Sequence, residues 1–233
     1  MNNFDGESGR RMVGDNAGLN AFFTKVYGIM GIAVLISAIS AYLSSVFMPN
    51  ISSGASGLVI LVVWFIISFV ISGFAQSNPT LSFIGLLVFS VLTGFSLSYI
   101  FIAFNLGTIG AALVSSASIF LVMSAIGFTT HKDLTKLSTQ LFAALIALII
   151  AMVINLFLRN PWIELFISAI GIIIFTALSA TDTQNLKKMY NQYAGEINVN
   201  GLAISGALQL YLDFLNLFTF LLEIFGIFGN NRD

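Results

Sequence analysis

Residues 207–226 read ALQLYLDFLNLFTFLLEIFG, and this stretch decides the fold. Leucine and phenylalanine dominate it, and its length is the roughly 20 apolar residues that cross a bilayer as a helix. Two acids, Asp213 and Glu223, interrupt it ten residues apart. An acid in the middle of a membrane span costs about 3 kcal/mol and usually faces protein or water rather than lipid. The stretch therefore predicts a membrane helix with one polar side.

The composition of the whole chain is that of a membrane protein. Of its 233 residues, 58% are hydrophobic and 8% are charged, whereas a soluble domain typically has about 25% charged residues. Nine basic and ten acidic residues leave a net charge of −1 and form no basic stripe that could bind nucleic acid. There is no cysteine, which excludes disulfides and thiolate chemistry. The expected partner is the lipid bilayer, and no nucleic-acid partner is expected.

Apolar segments long enough to cross a bilayer recur seven times along the chain. Their approximate bounds are 23–48, 56–75, 81–104, 108–128, 139–158, 162–181 and 202–228. This pattern predicts an all-α integral membrane protein with seven transmembrane helices. The expected organisation is a polar, disordered cytoplasmic tail at 1–22, a single membrane domain at 23–229 and a short C-terminal tail at 230–233.

Lysine and arginine are distributed unevenly between the two sides of the predicted bundle. Seven lie on the side of the N-terminus: Arg10, Arg11, Lys25, Lys132, Lys136, Lys187 and Lys188. Two lie on the opposite side, Arg159 and Arg232. Because cytoplasmic loops carry the excess of basic residues, we expect the N-terminus in the cytoplasm and the C-terminus outside.

Polar residues of the last span fall on one narrow arc of the helix when it turns by about 100° per residue. They are Ser205, Gln209, Asp213, Asn216 and Glu223, and we call them the polar stripe. Polar groups in contact with lipid would lack hydrogen-bond partners. We therefore expect the polar stripe to point into a bundle formed by the other six helices.

Asp213 needs a partner, and no lysine or arginine lies in the middle of any predicted span. Asp182, in TALSATDTQNLKK at 176–188, ends the sixth predicted span and is the natural partner. Two adjacent carboxyls tend to share a proton and to respond to pH, and carboxylate oxygens also suit calcium. A static polar clamp between the two helices is an alternative of equal weight. Glu164 and Glu223, near the outer ends of their helices, are expected to reach headgroup water.

Several stretches resemble the transmembrane Bax inhibitor motif family, and most closely its bacterial inner-membrane members. They are ATDTQNLK at 180–187, LYLDFLNLFTFLLEIFG at 210–226, AFFTKVYGIMGIAVLISA at 21–38 and LTGFSLSYIF at 92–101. The resemblance implies a seventh helix at the centre of the other six, in the inner membrane. It further implies a pH-regulated calcium leak whose sensor is the pair Asp182 and Asp213, with calcium as a transported ion that could bind there transiently.

Two departures from the family pattern and two other functions bear on this interpretation. Thr181 stands where the family commonly has a tyrosine, and the second predicted span lacks the arginine that some calcium-leaking members have. The main alternative, also implied by the resemblance, is a regulatory protein that binds a membrane-bound ATP-dependent protease without transport. An intramembrane aspartyl protease is disfavoured because no glycine precedes Asp213. We expect neither an enzyme nor a cofactor.

Overall fold

The structure is a computed structural model, and it describes residues 4–48, 63, 66–193 and 196–229. Every regular element in these ranges is a helix, and residues 66–74 are also helical. The seven remaining elements are α1 (Phe4–Phe47), α2 (Pro79–Leu97), α3 (Ile100–Ala103), α4 (Leu106–Thr129), α5 (Thr135–Leu158), α6 (Pro161–Tyr193) and α7 (Val199–Gly229).

Six of the described helical segments are long and apolar enough to cross a membrane. They are Ala17–Phe47, Pro79–Ala103, Leu106–Thr129, Thr135–Leu158, Pro161–Tyr193 and Val199–Ile227. The prediction of an all-α membrane protein is thus confirmed. Nine of the 20 residues of the second predicted span, 56–75, lie outside the described ranges, so the count of seven stays a prediction.

Two helices are longer than the sequence predicts. Helix α1 begins at Phe4, within the segment 1–22 for which we expected disorder; extending a helix that has already formed costs far less than starting one. Helix α6 was expected to end at Asp182 but continues to Tyr193, because the residues that follow include good helix formers and no glycine or proline. Asp182 therefore lies inside a helix rather than at its end.

Helix α7 is the most buried of the six candidate spans. It packs against α1, α2, α4 and α6, and its contact with α6 is the most extensive between any two described helices. Its side chains Leu210, Tyr211 and Leu217 are fully enclosed. The first turn of α7 packs against the end of the second predicted span, since a Cβ atom on Gly201 would overlap the Ala75 carbonyl. The place of α7 at the centre of six other helices stays a prediction.

Helices α4 and α6 approach closely next to Asp182. A Cβ atom on Gly127 of α4 would overlap the backbone carbonyl of Ala180 on α6, so a glycine is required at this contact. Nearby, the hydroxyls of Ser124 on α4 and Thr183 on α6 lie 3.0 Å apart. Small residues that let two backbones come together are typical of helix contacts in membranes. This contact fixes the part of α6 that carries Asp182.

Candidate functional site

The structure brings Asp182 and Asp213 together between α6 and α7. Their exposed fractions are 6% and 4%, and their carboxyl groups lie within hydrogen-bonding reach of each other. Gln209, one turn before Asp213 on α7, contacts the Asp182 carboxyl as well. The Thr181 hydroxyl lies 3.5 Å from Oδ1 of Asp182. The two buried acids thus form the centre of a small polar site, of which Gln209 is the exposed member.

One oxygen of this site has no hydrogen-bond donor. Oδ2 of Asp213 is buried and finds no partner among the described residues. The group beside it, the Asp182 carboxyl, can only accept when it is ionised. The one ion pair in the described part of the chain joins Lys188 to Asp133 instead. A buried acceptor without a donor among the protein groups is costly.

The profile described as "inhibitor of apoptosis-promoting Bax1" matches residues 19–230, which is nearly all of the sequence. The chain belongs to the Bax inhibitor-1-like family.

Individual members of the Bax inhibitor-1-like family match over almost their full length. A membrane protein of Streptococcus pyogenes serotype M6 is 39% identical over 222 residues, which cover 91% of this chain and 94% of the relative. The protein YrjE of Lactococcus lactis is 36% identical over 222 residues, with 93% and 94% covered. The inner membrane protein YbhL of Escherichia coli K12 is 36% identical over 225 residues, with 92% and 95% covered.

Only Asp213 of the polar stripe is fully enclosed in this family member. Ser205, Asn216 and Glu223 are half-buried, and Gln209 is exposed. Asn216 donates a hydrogen bond of 2.8 Å to the Leu212 carbonyl of its own helix, so it needs no other helix as a partner. The polar stripe therefore differs from the uniformly interior surface that we expected. Its residues run along the boundary between the packed flank of α7 and its open flank.

Glu223 is held by α6 instead of reaching freely into headgroup water as we expected. The hydroxyl of Ser168, which is fully buried, lies 2.5 Å from Oε2 of Glu223. The sequence pattern does not reveal this role of Ser168, because a lone serine in an apolar helix more often bonds to its own backbone. Ser168 also contacts the Glu164 carbonyl of its own helix, at 2.9 Å. Glu164 is exposed, as expected for an acid near a helix end.

Residues that follow Asp182 on α6 hold the connection between α4 and α5. The Gln184 amide donates to the Lys132 carbonyl at 2.8 Å and accepts from the Leu134 N–H at 2.9 Å. Lys187 donates to the Phe128 carbonyl at 2.7 Å. Gln184 was missed because its partners are about 50 positions away in the chain. It anchors the connection against α6 two residues beyond Asp182.

Asp133, the acid of the ion pair at this end of the bundle, lies outside the candidate membrane-spanning segments. Lys188 donates to Oδ1 of Asp133, as does the Thr135 hydroxyl at 2.6 Å. The hydrogen bond from Lys188, followed by those from Thr135, lowers the pKa of Asp133. This acid thus has what Asp213 lacks, a cationic donor.

A buried hydroxyl cluster joins α7 to α1 and α2 two residues before Asp213. The Tyr211 hydroxyl lies 2.5 Å from the Ser37 Oγ, which itself lies 2.8 Å from the Ser90 carbonyl. The side chains of Ser90 and Thr93 also contact Tyr211. Because Ser37 can direct its one proton to the backbone, Tyr211 can donate to Ser37. The cluster fixes α7 beside the aspartate site.

Proposed function

We propose that this protein is a pH-regulated cation leak in which Asp182 and Asp213 are the proton sensor and calcium is the transported ion. The single observation that supports it most is the donor-free oxygen of buried Asp213 beside a second carboxyl. Ionisable groups placed inside membrane spans commonly mark ion pathways and proton relays.

The proposed switch is one proton shared between the two carboxyls. When one carboxyl is protonated, its O–H donates to the other and fills the missing hydrogen-bond position. When both are ionised, two negative charges face each other in an enclosed site and repel. The contact between α6 and α7 therefore differs between the two protonation states. Because the two groups interact strongly, they titrate as a pair rather than separately.

Calcium fits this site as a transient cargo. Calcium takes six to eight oxygen ligands, whereas the site offers the carboxyls of Asp182 and Asp213 and the amide of Gln209. Within the described ranges, no group of three or more acidic or histidine side chains could hold a metal ion. Water would have to supply the other ligands, which suits an ion in transit more than a resident one.

The test is calcium flux into liposomes containing the purified protein, measured across a range of pH. The wild-type flux should change with pH, and Asp182→Asn and Asp213→Asn should each remove that change. Asp133→Asn, an acid with its own lysine, is the matched control and should keep the wild-type profile. An unaltered rate and profile in both site variants would show the proposal to be wrong. Absence of flux in the wild type at every pH would favour the regulatory role, in which a membrane protease is the partner to seek.

A further inference from the structure

We propose that a cavity at the end of the bundle where α5 meets α6 binds a zwitterion that carries a primary ammonium and a phosphate, as a phosphatidylethanolamine headgroup does. The proposal goes beyond the leak, because it involves neither Asp182 nor Asp213. The cavity has a volume of about 350 Å³. It is lined by Asn155, Arg159, Glu164 and Glu223, together with the apolar Met152, Leu156, Ile167 and Phe220.

Opposite charges line this cavity without pairing to each other. Arg159 forms no salt bridge with Glu164 or Glu223, and the single ion pair in the described ranges lies elsewhere. Glu223 adds a second carboxylate, one oxygen of which accepts from Ser168. A monovalent cation would leave the arginine unmatched, and a simple anion would meet two carboxylates. A ligand that bears both charges matches the whole cavity.

The backbone keeps Arg159 beside the cavity in a conformation that an arginine seldom adopts. Its φ is 50°, and it is the one non-glycine residue with positive φ among those described. Glycine adopts this left-handed conformation with far less strain. Asn155 stabilises it by accepting the Arg159 N–H at its carbonyl (2.7 Å) and the Asn160 N–H at its side-chain oxygen (3.1 Å). Such strain at a charged residue is a reason to look for a ligand.

The surroundings place the cavity at the level of lipid headgroups. Trp162, which follows in the first turn of α6, is 71% exposed, and exposed tryptophans concentrate at membrane interfaces. Leu156 is likewise 71% exposed, so one rim of the cavity is open to the acyl region. A charged cavity with an apolar rim suits a lipid, whose headgroup and chains meet at this depth.

The chemistry of the lining specifies which headgroup fits. A guanidinium binds phosphate with two parallel hydrogen bonds, so Arg159 would hold the phosphate. A primary ammonium has three N–H donors, which matches the acceptors offered by Glu164, Glu223 and the Asn155 side-chain oxygen. A choline headgroup has no N–H to donate, and a glycerol headgroup has no positive charge.

Lipid retention by the purified full chain tests the site. The protein in detergent is mixed with equal amounts of phosphatidylethanolamine, phosphatidylcholine and phosphatidylglycerol with identical acyl chains, and bound lipid is counted by native mass spectrometry. We expect a preference of about tenfold for phosphatidylethanolamine, which corresponds to about 1.4 kcal/mol. Arg159→Ala and Glu164→Gln should each abolish the preference. Lys136→Ala, an exposed basic residue at the other end of the bundle, should preserve it.

A second measurement distinguishes a membrane lipid from a soluble ligand with the same headgroup chemistry. If glycerophosphoethanolamine in solution binds as tightly as the lipid, the acyl chains contribute nothing and the site binds a soluble ligand of the same chemistry. Equal retention of phosphatidylcholine and phosphatidylethanolamine would overturn the assignment, as would a preference that survives in Glu164→Gln. Because Glu164→Gln changes only an exposed side chain, it remains informative if Arg159→Ala proves unstable.

Discussion

Asp213 and Glu223 lie ten residues apart on α7, and their surroundings differ in one decisive respect. Glu223 is half-buried and accepts a hydrogen bond from Ser168. Asp213 is almost completely buried, and its nearest polar neighbour is a second acid. The difference shows that the stability of an acid inside a membrane helix depends more on the hydrogen-bond donors around it than on how deeply it is buried. Glu223 thus contributes to a contact between α6 and α7, whereas one oxygen of Asp213 has no donor among the described residues.

The difference follows from how tightly the helices pack at each acid. Near Asp182, Gly127 brings α4 against α6 so closely that a Cβ atom at position 127 would overlap the Ala180 backbone. Beside Glu223, the helices leave a cavity of about 350 Å³. An acid next to a cavity can be relieved by water or by a ligand, whereas an acid in a packed site depends on fixed groups.

The largest effect should come from disturbing the packing next to the aspartate site. In Gly127→Ala, the added Cβ would overlap the Ala180 carbonyl, so α4 and α6 must separate. We expect a loss of about 3 kcal/mol of unfolding free energy, the upper part of the range for overpacked cores. Thermal unfolding in detergent measures it.

Gly110 supplies a matched control on the same helix. A Cβ there meets nothing within 4 Å, so Gly110→Ala should be neutral or slightly stabilising, because alanine favours helix more than glycine does. Equal destabilisation by the two changes would mean that the close approach of α4 and α6 does not constrain the site.

Neutralising the two α7 acids should change stability in opposite directions. Asp213→Asn replaces the donor-free carboxyl with an amide that can donate to Asp182, and we expect a gain of about 1 to 2 kcal/mol. Glu223→Gln weakens a charge-assisted bond from Ser168, and we expect a loss of about 1 kcal/mol. Unfolding of both variants near neutral pH measures the difference. A loss of similar size in both would remove the distinction between the two acids.

The hydroxyl cluster before Asp213 should contribute less. Tyr211→Phe removes the bond to Ser37 but leaves the ring in place, and we expect a loss of about 1 kcal/mol. Tyr27→Phe is the control, because Tyr27 is half-buried and makes no hydrogen bond in the described ranges; its effect should stay within about 0.5 kcal/mol. If Tyr211→Phe also leaves the pH profile of calcium flux unaltered, the cluster only stabilises α7. A shifted profile would show that it positions Asp213.

The spans and the central acids could be predicted from the sequence for a simple physical reason. Residues of a membrane-crossing helix that face hydrocarbon must be apolar. Apolar runs in the sequence therefore predict the bounds of α4, α5 and α7 to within a few residues. Asp213 is conspicuous for the same reason, because ionisable residues are rare inside membrane spans and usually face protein or water. The pairing with Asp182 came from the small number of acids and from the family resemblance, and the structure places the two side chains in contact.

Other features depend on distant partners that no local pattern reveals. Ser168 contacts Glu223 from 55 positions away, and Gln184 holds Lys132 and Leu134 from about 50. The end of α6 was misplaced because a polar segment in water can remain helical when no glycine or proline interrupts it. The exposure of Gln209 depends on which flank of α7 its neighbours cover, and periodicity alone does not determine that.

The smallest effect should come from the acid that has a cation as its partner. Lys188 lowers the pKa of Asp133 below the value it has in an unfolded chain, which is about 3.9. The contribution of this ion pair to stability is therefore fully present above that value and is lost only as the pH falls through the lower, folded pKa. Between about pH 5 and pH 8, the stability of Asp133→Asn should therefore vary with pH in the same way as that of the wild type. Thermal unfolding across that range, compared with Asp213→Asn, checks it. A pH-dependent difference between wild type and Asp133→Asn near neutrality would show that the α4–α5 connection, which also carries His131, contributes to the pH response. That result would weaken the assignment of pH sensing to the aspartate pair.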